Sequence, residues 1–433
     1  RTHFTRNFIH FSEIGAEMKN WKKVTFDEVC EKVGSSYQPS ENGSLKYIGL
    51  EHIESGCSSI KLHGCESEVK SSKTRFQSGD ILYGKLRPYL DKAAIPKFDG
   101  ICSTDILVFK AKTVSLNDFL VFLIHSEEFI RHAKATTSGV QHPRTSWESL
   151  KEFKFLLPPI DEQKKIAYIL NTVQTAIEQQ DKLIKTTTEL KKALMQKLFT
   201  EGTKGEKQKQ TEIGLVPESW IIQPFETTGE VVYGIQAAVA SNLKPVGHKI
   251  LTNKNITIDG NIDLDKINYF VLKTKRHFDT VLKKGDLLFN WRSGSKEHVG
   301  KTAIFNLDEG EYVHSSFILR IRVNESHNAS FLFYYLNYLR ESGYYQKVQT
   351  YSINAKFNKT AINSMPIALP TKKIQNEISS ILLQIDAKMI NQNSKLELLQ
   401  NLFKTLLHEL MTGQRRVNEI DFADLEKEVA ANG

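Results

Sequence analysis

Two stretches of the chain carry hydrophobic residues at steps that alternate between four and three positions. In the later stretch these positions are Ile378, Leu382, Ile385, Met389, Gln392, Leu396, Leu399, Phe403, Leu406 and Leu410. In the earlier stretch they are Ile166, Leu170, Val173, Ile177, Gln180, Ile184, Leu194 and Leu198. The earlier pattern weakens at Thr187 and Lys191, which occupy two positions of the same seam. A repeat of 3.5 residues predicts two long helices, each with a narrow coiled-coil seam.

The two stretches align without a gap, so that Pro158 falls on Pro370 and later pairs keep the same separation (370 − 158 = 212). Each predicted helix starts after its proline and stops at Gly202 or Gly413, residue types that suit a helix start and a C-terminal cap. At 1.5 Å per residue, about 40 residues give a rod of roughly 60 Å. Two matching rods in one chain predict an antiparallel coiled coil that relates the two halves by a pseudo-twofold axis.

Both seams carry a glutamine at the same position, Gln180 and Gln392. A buried polar pair would fix the register of the two helices at some cost in stability. A seam that is partly exposed at this point explains the glutamines equally well, and the sequence leaves both interpretations open.

The repeat continues outside the helices. Ser12–Trp21 matches Thr211–Trp220 at an offset of 199 (220 − 21), and Ser78–Pro88 matches Lys284–Gly294 at an offset of 206 (284 − 78). The offset therefore grows towards 212 along the chain, which places short insertions in the second half. Insertions concentrate in surface loops, where binding specificity usually lies.

Each globular half has the pattern of an α+β domain. Short apolar runs predict strands, and longer periodic runs predict helices at Phe119–Ala135 and Phe331–Val348. The predicted strands are Ile81–Tyr83, Ile106–Phe109, Leu287–Phe289 and Ile318–Val323. The expected order is a first globular domain (1–157), a long helix (158–202), a charged linker (203–210), a second globular domain (211–369), a second long helix (370–413) and an exposed tail (414–433).

Composition limits the class of protein without deciding it. Hydrophobic residues make up 40% of the 433 and charged residues 25%, as in ordinary globular domains. No apolar run approaches the ~20 residues that span a bilayer, so no membrane partner is expected. The net charge of +8 permits a polyanionic partner. The four cysteines form no metal-binding or disulfide pattern, which favours free thiols in a reducing cytoplasm.

Catalytic motifs are missing from the sequence. The segment Ser295–Thr302 resembles a phosphate-binding loop, but its first glycine is displaced and a strand-like run follows it. Asp80 and Asp286 each follow a glycine in a turn, and neither is accompanied by a repeated set of further metal ligands. The chain is expected to be non-catalytic and to hold no cofactor or metal. A diverged nuclease or methyltransferase, and a coiled-coil adaptor that does not bind DNA, remain as alternatives.

Several segments together resemble one known family. They are the run LPPIDEQKKIAYIL (Leu157–Leu170), the Gly-Asp-Ile-Leu turn, the lead-in SGVQHPRTSWESLKEF and the domain–helix–domain–helix order. This combination is similar to the specificity subunit of type I restriction–modification enzymes. The second long helix departs from the family pattern, because Ile374 stands where the first helix has Glu162.

The resemblance implies a division of labour between subunits. Each globular half would be a target recognition domain that reads one half of a split, asymmetric double-stranded DNA sequence, and the coiled coil would set the spacer between the half-sites. Two methyltransferase subunits and restriction subunits would assemble on this scaffold. S-adenosylmethionine, ATP and magnesium would belong to those partners. Exposed apolar surface on the rods allows self-association of the isolated chain.

Candidate DNA-contacting residues follow from loops in which cationic, amide and aromatic side chains lie beside glycines. In the first half these are Lys85, Arg87, Tyr89, Gln141, His142 and Arg144. In the second half they are Trp291, Arg292, Lys296, Asn354 and Lys356. Trp291 is equally compatible with a place in the hydrophobic core.

Overall fold

The computed structural model describes residues 20–236, 243–244, 246–350 and 357–420. Contacts divide the chain into two units. The first unit comprises the residues up to Leu183 together with those from Gln392 onward, and the second unit comprises Ile184–Asn391. Each unit therefore holds one globular half and a segment of each long helix. The repeated segment Ser12–Trp21 lies outside the described residues except for its last two positions.

The two long helices span Ile160–Glu201 and Lys372–Thr412. Each starts one or two residues after a proline, and each ends where a glycine adopts the left-handed conformation, Gly202 at φ 68° and Gly413 at φ 71°. Side chains with a Cβ rarely adopt this conformation, so the glycines stop the helices at low cost. No helix in the described part of the chain has the length and apolar character needed to cross a membrane.

The first unit contains a four-stranded and a five-stranded sheet. Its strands are β1 (Lys22–Thr25), β2 (Cys30–Val33), β3 (Ser35–Tyr37), β4 (Lys46–Ile48), β5 (Gly64–Cys65), β6 (Lys73–Phe76), β7 (Ile81–Gly84), β8 (Ala93–Ala94), β9 (Gly100–Cys102), β10 (Ile106–Ala111) and β11 (Lys154–Leu157). The strand orders are β2-β10-β7-β8 and β3-β6-β9-β4-β5. Strand β1 pairs antiparallel with β11, so the start of the globular half lies beside the strand that leads into the long helix.

Short helices complete the first unit. They are Phe26–Val29, Asn117–Ile124, Glu127–Ala135 and Trp147–Leu150, with 3-10 turns at Leu50–His52, Glu66–Glu68, Pro88–Leu90 and Val417–Glu419. The sequence predicted one helix over Phe119–Ala135, whereas the structure has two. Ser126 separates them, because its side chain accepts a hydrogen bond from the amide of Phe129 and starts a new helix there.

The second unit repeats this plan with local additions. Its strands are β12 (Gln208–Thr211), β13 (Gly214–Pro217), β14 (Ile221–Pro224), β15 (Gly229–Tyr233), β16 (Leu243–Lys244), β17 (His248–Leu251), β18 (Asn268–Phe270), β19 (Leu287–Asn290), β20 (Thr302–Ile304), β21 (Tyr312–His314), β22 (Ile318–Val323) and β23 (Pro366–Leu369). The orders are β12-β13, β14-β23, β15-β22-β19-β20 and β16-β18-β17-β21. The four strands β15-β22-β19-β20 correspond to β2-β10-β7-β8 in the first unit.

Helices of the second unit are Lys275–Phe278, Ala329–Glu341, Tyr344–Thr350 and Lys359–Ser364, with 3-10 turns at Phe225–Thr228 and Lys296–His298. The helix predicted over Phe331–Val348 is again broken, here at Gly343, which has a φ of 77°. Strand β12 begins at Gln208, so the last residues of the predicted linker belong to a hairpin.

The hydrophobic cores join each globular half to its helix segments. In the first unit, residues of both long helices, such as Ile166 and Leu406, lie in one cluster with the short helix Asn117–Ile124. Val417 and Ile420 of the predicted exposed tail are buried in the same cluster, which corrects that expectation. Residues 421–433 of the tail lie outside the described residues.

Seam positions along both long helices are buried or half-buried throughout. In the first unit Gln180 and Gln392 are both buried, and the Gln180 amide donates to the Gln392 carbonyl oxygen at 2.8 Å. In the second unit Lys191, at a weak seam position, forms an ion pair of 2.5 Å with Asp386. Gln180 and Lys191 thus contact the opposite helix, whereas the buried side-chain amide of Gln392 has no hydrogen-bond partner among the described residues.

Candidate nucleic-acid interface

Two loops of the first unit lie side by side and carry all six candidate residues of that half. The first connects β7 to β8 (residues 85–92), and the second follows the helix Glu127–Ala135 (residues 136–146); together we call them the first loop pair. The amide of Arg87 donates to the Pro143 carbonyl at 2.8 Å, and the amide of Thr145 donates to the Lys85 carbonyl at 3.1 Å. Backbone bonds therefore hold Lys85, Arg87 and the residues around His142 on one surface.

The side chain of Arg144 is engaged within this surface. Its guanidinium donates to both carboxylate oxygens of Asp105, at 2.8 and 3.0 Å. The Arg144 guanidinium holds the pKa of the Asp105 carboxyl below its usual range, and the charges of Lys85 and His142 act in the same direction. Arg144 consequently positions the loop, whereas Arg87, Tyr89, Gln141 and His142 are exposed and Lys85 is half-buried.

The equivalent loop of the second unit is longer. It connects β19 to β20 and has eleven residues (291–301), against eight (85–92) in the first unit. Arg292 is exposed and its guanidinium lies 5.6 Å from the centre of the Phe317 ring. Lys296 is exposed at the start of a 3-10 turn. The insertion expected from the growing offset thus includes this loop.

Trp291 is placed as a packing residue. Its indole N–H donates to the Ser316 carbonyl at 2.7 Å, and its ring makes an edge contact with Tyr233 at 5.6 Å. The ring is half-buried against the core cluster of the second unit. Of the two interpretations that the sequence left open for Trp291, this geometry favours the core. Asn354 and Lys356 lie outside the described residues.

The sequence did not single out two lysines, Lys92 and Lys301, that anchor the β7–β8 and β19–β20 loops to the backbone of neighbouring segments. Lys92 donates to the Leu50 carbonyl at 2.5 Å, and Lys301 donates to the carbonyls of Ile256 at 2.5 Å and Asn253 at 3.2 Å. Burial lowers the pKa of Lys301, and Arg340 adds to the effect. Each lysine directly precedes the strand that ends its loop. This shared position was a signal that a comparison of the two halves could have found.

The motif glutamine of each long helix fastens that helix to its own globular half. Gln163 donates to the carbonyls of Pro158 at 2.9 Å and Val114 at 3.1 Å, and accepts from the Leu116 amide at 3.2 Å. Gln375 is equivalent in the second unit, where it donates to the Pro370 carbonyl and accepts from the Asn328 amide. Both glutamines are buried. The spacing from proline to glutamine thus places the glutamine where it can hold the start of the helix against the globular half.

The aspartates of the two Gly-Asp turns close those turns. Asp80 accepts from the Gln77 amide, and Asp286 accepts from the Lys283 amide, each at 2.8 Å. Burial raises the pKa of the Asp80 carboxyl. Among the described residues, no cluster of three or more His, Cys, Asp or Glu side chains is arranged to hold a metal ion.

The comparison with protein families identifies the repeated architecture. A family model described as the type I restriction modification DNA specificity domain matches residues 18–188 and 241–401, one match in each half. Together the two matches cover more than half of the chain. The chain belongs to this family. The double match agrees with the internal repeat predicted from the sequence, and the two matched ranges include the candidate loops of both halves.

Curated relatives are named as specificity subunits. The chain is 25% identical over 398 residues to the type I restriction enzyme MjaVIII specificity subunit of Methanocaldococcus jannaschii, covering 88% of each chain. It is 25% identical to the putative MjaX specificity subunit of the same organism, covering 94% of this chain and 96% of the relative. The EcoDI specificity subunit of Escherichia coli is 31% identical over 156 residues, 36% of this chain and 35% of that one.

Solved structures share the fold. A chain from a structural study of assembly and conformational transition of the type I R-M system aligns with a TM-score of 0.58 at 21% identity, covering 92% of this chain and 99% of that one. The S subunit of a type I restriction–modification system from M. genitalium aligns with a TM-score of 0.56 at 13% identity, covering 90% and 96%. These structures support the two-unit helix-and-sheet architecture of the family.

Proposed function

We propose that the chain is the non-catalytic DNA-recognition subunit of a type I restriction–modification complex. Each globular half binds one half-site of a split double-stranded target. The carrying observation is that the same inter-strand loop recurs in both units and presents an exposed arginine in each, Arg87 and Arg292. Arginine binds phosphates and guanine edges through its planar guanidinium. Because the two loops differ in length and sequence, the two half-sites differ as well.

We further propose that the long helices pair as an antiparallel coiled coil that sets the spacer between the half-sites. Within the first unit, Arg416 bonds to Glu162 at 2.9 Å, and Gln180 bonds to Gln392. As residue numbers rise along the first helix, those of its partners fall, which is the order of antiparallel helices. The contacts of the second unit follow the same rule.

The partners of the chain follow from its family. Two adenine methyltransferase subunits and restriction subunits bind the chain as a scaffold, and S-adenosylmethionine, ATP and magnesium act on those subunits. The chain contributes target choice and geometry, and no catalytic group. The names of the relatives, all specificity subunits of type I restriction enzymes, support this assignment.

The test is to map adenine methylation across the source genome with and without the gene. We expect methylation to disappear at one split, asymmetric motif when the gene is deleted, and to return when it is restored. A purified chain, alone or with its methyltransferase subunits, should bind a duplex that carries this motif. Unchanged methylation together with no binding of DNA would contradict the proposal and favour the adaptor alternative. Cleavage or methylation by the isolated chain would favour the diverged-enzyme alternative.

A further inference from the structure

One turn of the first loop pair has an unusual backbone. Arg87 and Asp91 have φ values of 51° and 48°, and they are the only residues other than glycine with positive φ in the described ranges. They flank the 3-10 turn Pro88–Leu90. A side chain with a Cβ occupies this conformation only at a cost in free energy, which the surrounding structure must offset. Such strain marks the turn as a candidate for function.

The turn is held from several sides. The Arg87 amide donates to Pro143, and the Asp91 carbonyl accepts from the Gly56 amide at 2.8 Å. The carboxylate of Asp91 lies 2.6 Å from Nδ1 of the buried His125, whose Nε2 bonds to the Ala93 carbonyl. The anchors come from three separate parts of the unit, so the turn is held in place.

Two apolar side chains stand on this turn. Tyr89 is 49% exposed and Leu90 is 39% exposed. Pro88, which precedes them in the turn, is buried. Within the described residues, neither the ring nor the hydroxyl of Tyr89 has a partner. Neither side chain belongs to the buried core cluster of the unit, so a substantial part of each is free to contact a partner.

The charged side chains around the turn Pro88–Leu90 indicate what kind of partner it binds. Lys85 and Arg87 are positively charged and form no ion pair with any described side chain. The nearby acids are already engaged, Asp91 with His125 and Asp105 with Arg144. Exposed apolar side chains beside two unpaired cations suit a polyanion with an apolar interior, and duplex DNA has this property because its bases stack between charged backbones.

We propose that the turn Arg87–Asp91 is a wedge that inserts Tyr89 and Leu90 into a base step of one half-site. Inserted apolar side chains unstack base pairs and kink DNA, and the cations around them bind the flanking phosphates. This inference rests on the proposed DNA-recognition function. The loop of the second unit has no such strained turn among its described residues, so the distortion is confined to the half-site that the first globular half reads.

The experiment uses the full chain in complex with its methyltransferase subunits, on a duplex that carries the mapped motif. 2-Aminopurine is placed at successive purine positions of each half-site, because its fluorescence rises when a base is unstacked. The adenines that become methylated are excluded, since methyltransferases withdraw their target base from the helix. We expect one bright position in one half-site only.

Three variants decide the role of the turn. The double variant Tyr89→Ala/Leu90→Ala should lose the bright position and bind the motif roughly tenfold more weakly. Tyr89→Phe should keep both, because the ring acts without its hydroxyl. Leu62→Ala removes another exposed leucine, 67% exposed and outside the loop pair, and should change neither.

Each other outcome has a defined meaning. If the wild-type complex binds its motif and no position is bright, the wedge is wrong and the recognition function stands. If the double variant instead fails to assemble with the methyltransferase subunits in the absence of DNA, the turn is a protein contact and the wedge is likewise wrong. If the wild-type complex has no preference for the motif, the proposed function itself fails.

Discussion

At the scale of single residues, neighbouring arginines of the first loop pair have different roles. Arg87 is exposed and its guanidinium has no partner among the described residues, whereas Arg144 is held by two bonds to Asp105. From the sequence both were predicted to contact DNA, because both are arginines beside turn-forming residues. The difference depends on Asp105, which is 39 positions away from Arg144 along the chain. Only the folded chain brings this carboxylate to the loop.

This difference gives a prediction for two alanine variants. Arg87→Ala should weaken DNA binding and reduce the slope of log affinity against log salt by ~1, since one phosphate contact is lost. Arg144→Ala leaves the Asp105 carboxylate without its partner and loosens residues 138–145, so it should also alter the preference among target sequences. Filter binding over a range of salt concentrations measures both effects.

The control for this pair is Arg292→Ala, which removes the exposed arginine of the second unit. It should change the salt dependence as Arg87→Ala does, because a phosphate contact is again lost. Unchanged affinity and site preference in both Arg87→Ala and Arg292→Ala would show that these loops do not contact DNA.

At the scale of elements, each long helix is a structural part of its globular half. In each unit a buried glutamine, Gln163 or Gln375, bonds to the backbone just before its own long helix. Gln163 also bonds to the segment before the helix Asn117–Ile124, and Gln375 to the segment before Ala329–Glu341. Glu162 adds a connection in the first unit only, because it accepts from the Trp21 indole and from Arg416. Ile374 takes its place in the second unit, and there the buried indole N–H of Trp220 has no hydrogen-bond partner among the described residues.

Replacing the motif glutamine should therefore destabilise one unit selectively. Gln163→Leu removes three hydrogen bonds of a buried side chain, at a cost of about 3 kcal/mol. The Pro158 carbonyl loses its partner in a buried place, and the Val114 carbonyl and Leu116 amide lose theirs in a partly buried one. Hydrogen exchange should speed up in Asn117–Ile124, and thermal unfolding should start at a lower temperature. Gln375→Leu should have the same effect in Ala329–Glu341. Gln179→Leu changes an exposed position of the same helix and should have neither effect.

The sequence predicted those elements that form through interactions between residues close together in the chain. The long helices and the strand Ile318–Val323 depend on local periodicity and on nearby proline and glycine, and they were predicted closely. The helix break at Ser126 needed a capping bond that periodicity does not show. The strained turn at Arg87 depends on Pro143 and His125, which are distant in sequence, so no local pattern announces it.

At the scale of the whole molecule, the internal repeat links target length to helix length. If the two helices form an antiparallel coiled coil, each added or removed heptad changes the rod and leaves the seam in phase. The first globular half contacts its own helix at Gln163, Gln174 and Glu178, and the second contacts its helix at Gln375 and Asp386. The residues to remove to shorten the rod are those that directly follow Glu178 and Asp386. The middle can therefore be altered while both recognition surfaces are kept.

Removing seven residues from the middle of each long helix should shorten the rod by ~10 Å. At ~3.4 Å per base pair, the spacer between the half-sites should shrink by roughly three base pairs, with both half-site sequences unchanged. Methylation mapping of cells that carry the shortened chain measures spacer and half-sites together. Removing two residues from each helix instead rotates the rest of the seam by about 200°, away from the partner helix, and should abolish methylation. A shortened chain that methylates the original spacer would show that the helices do not set the distance.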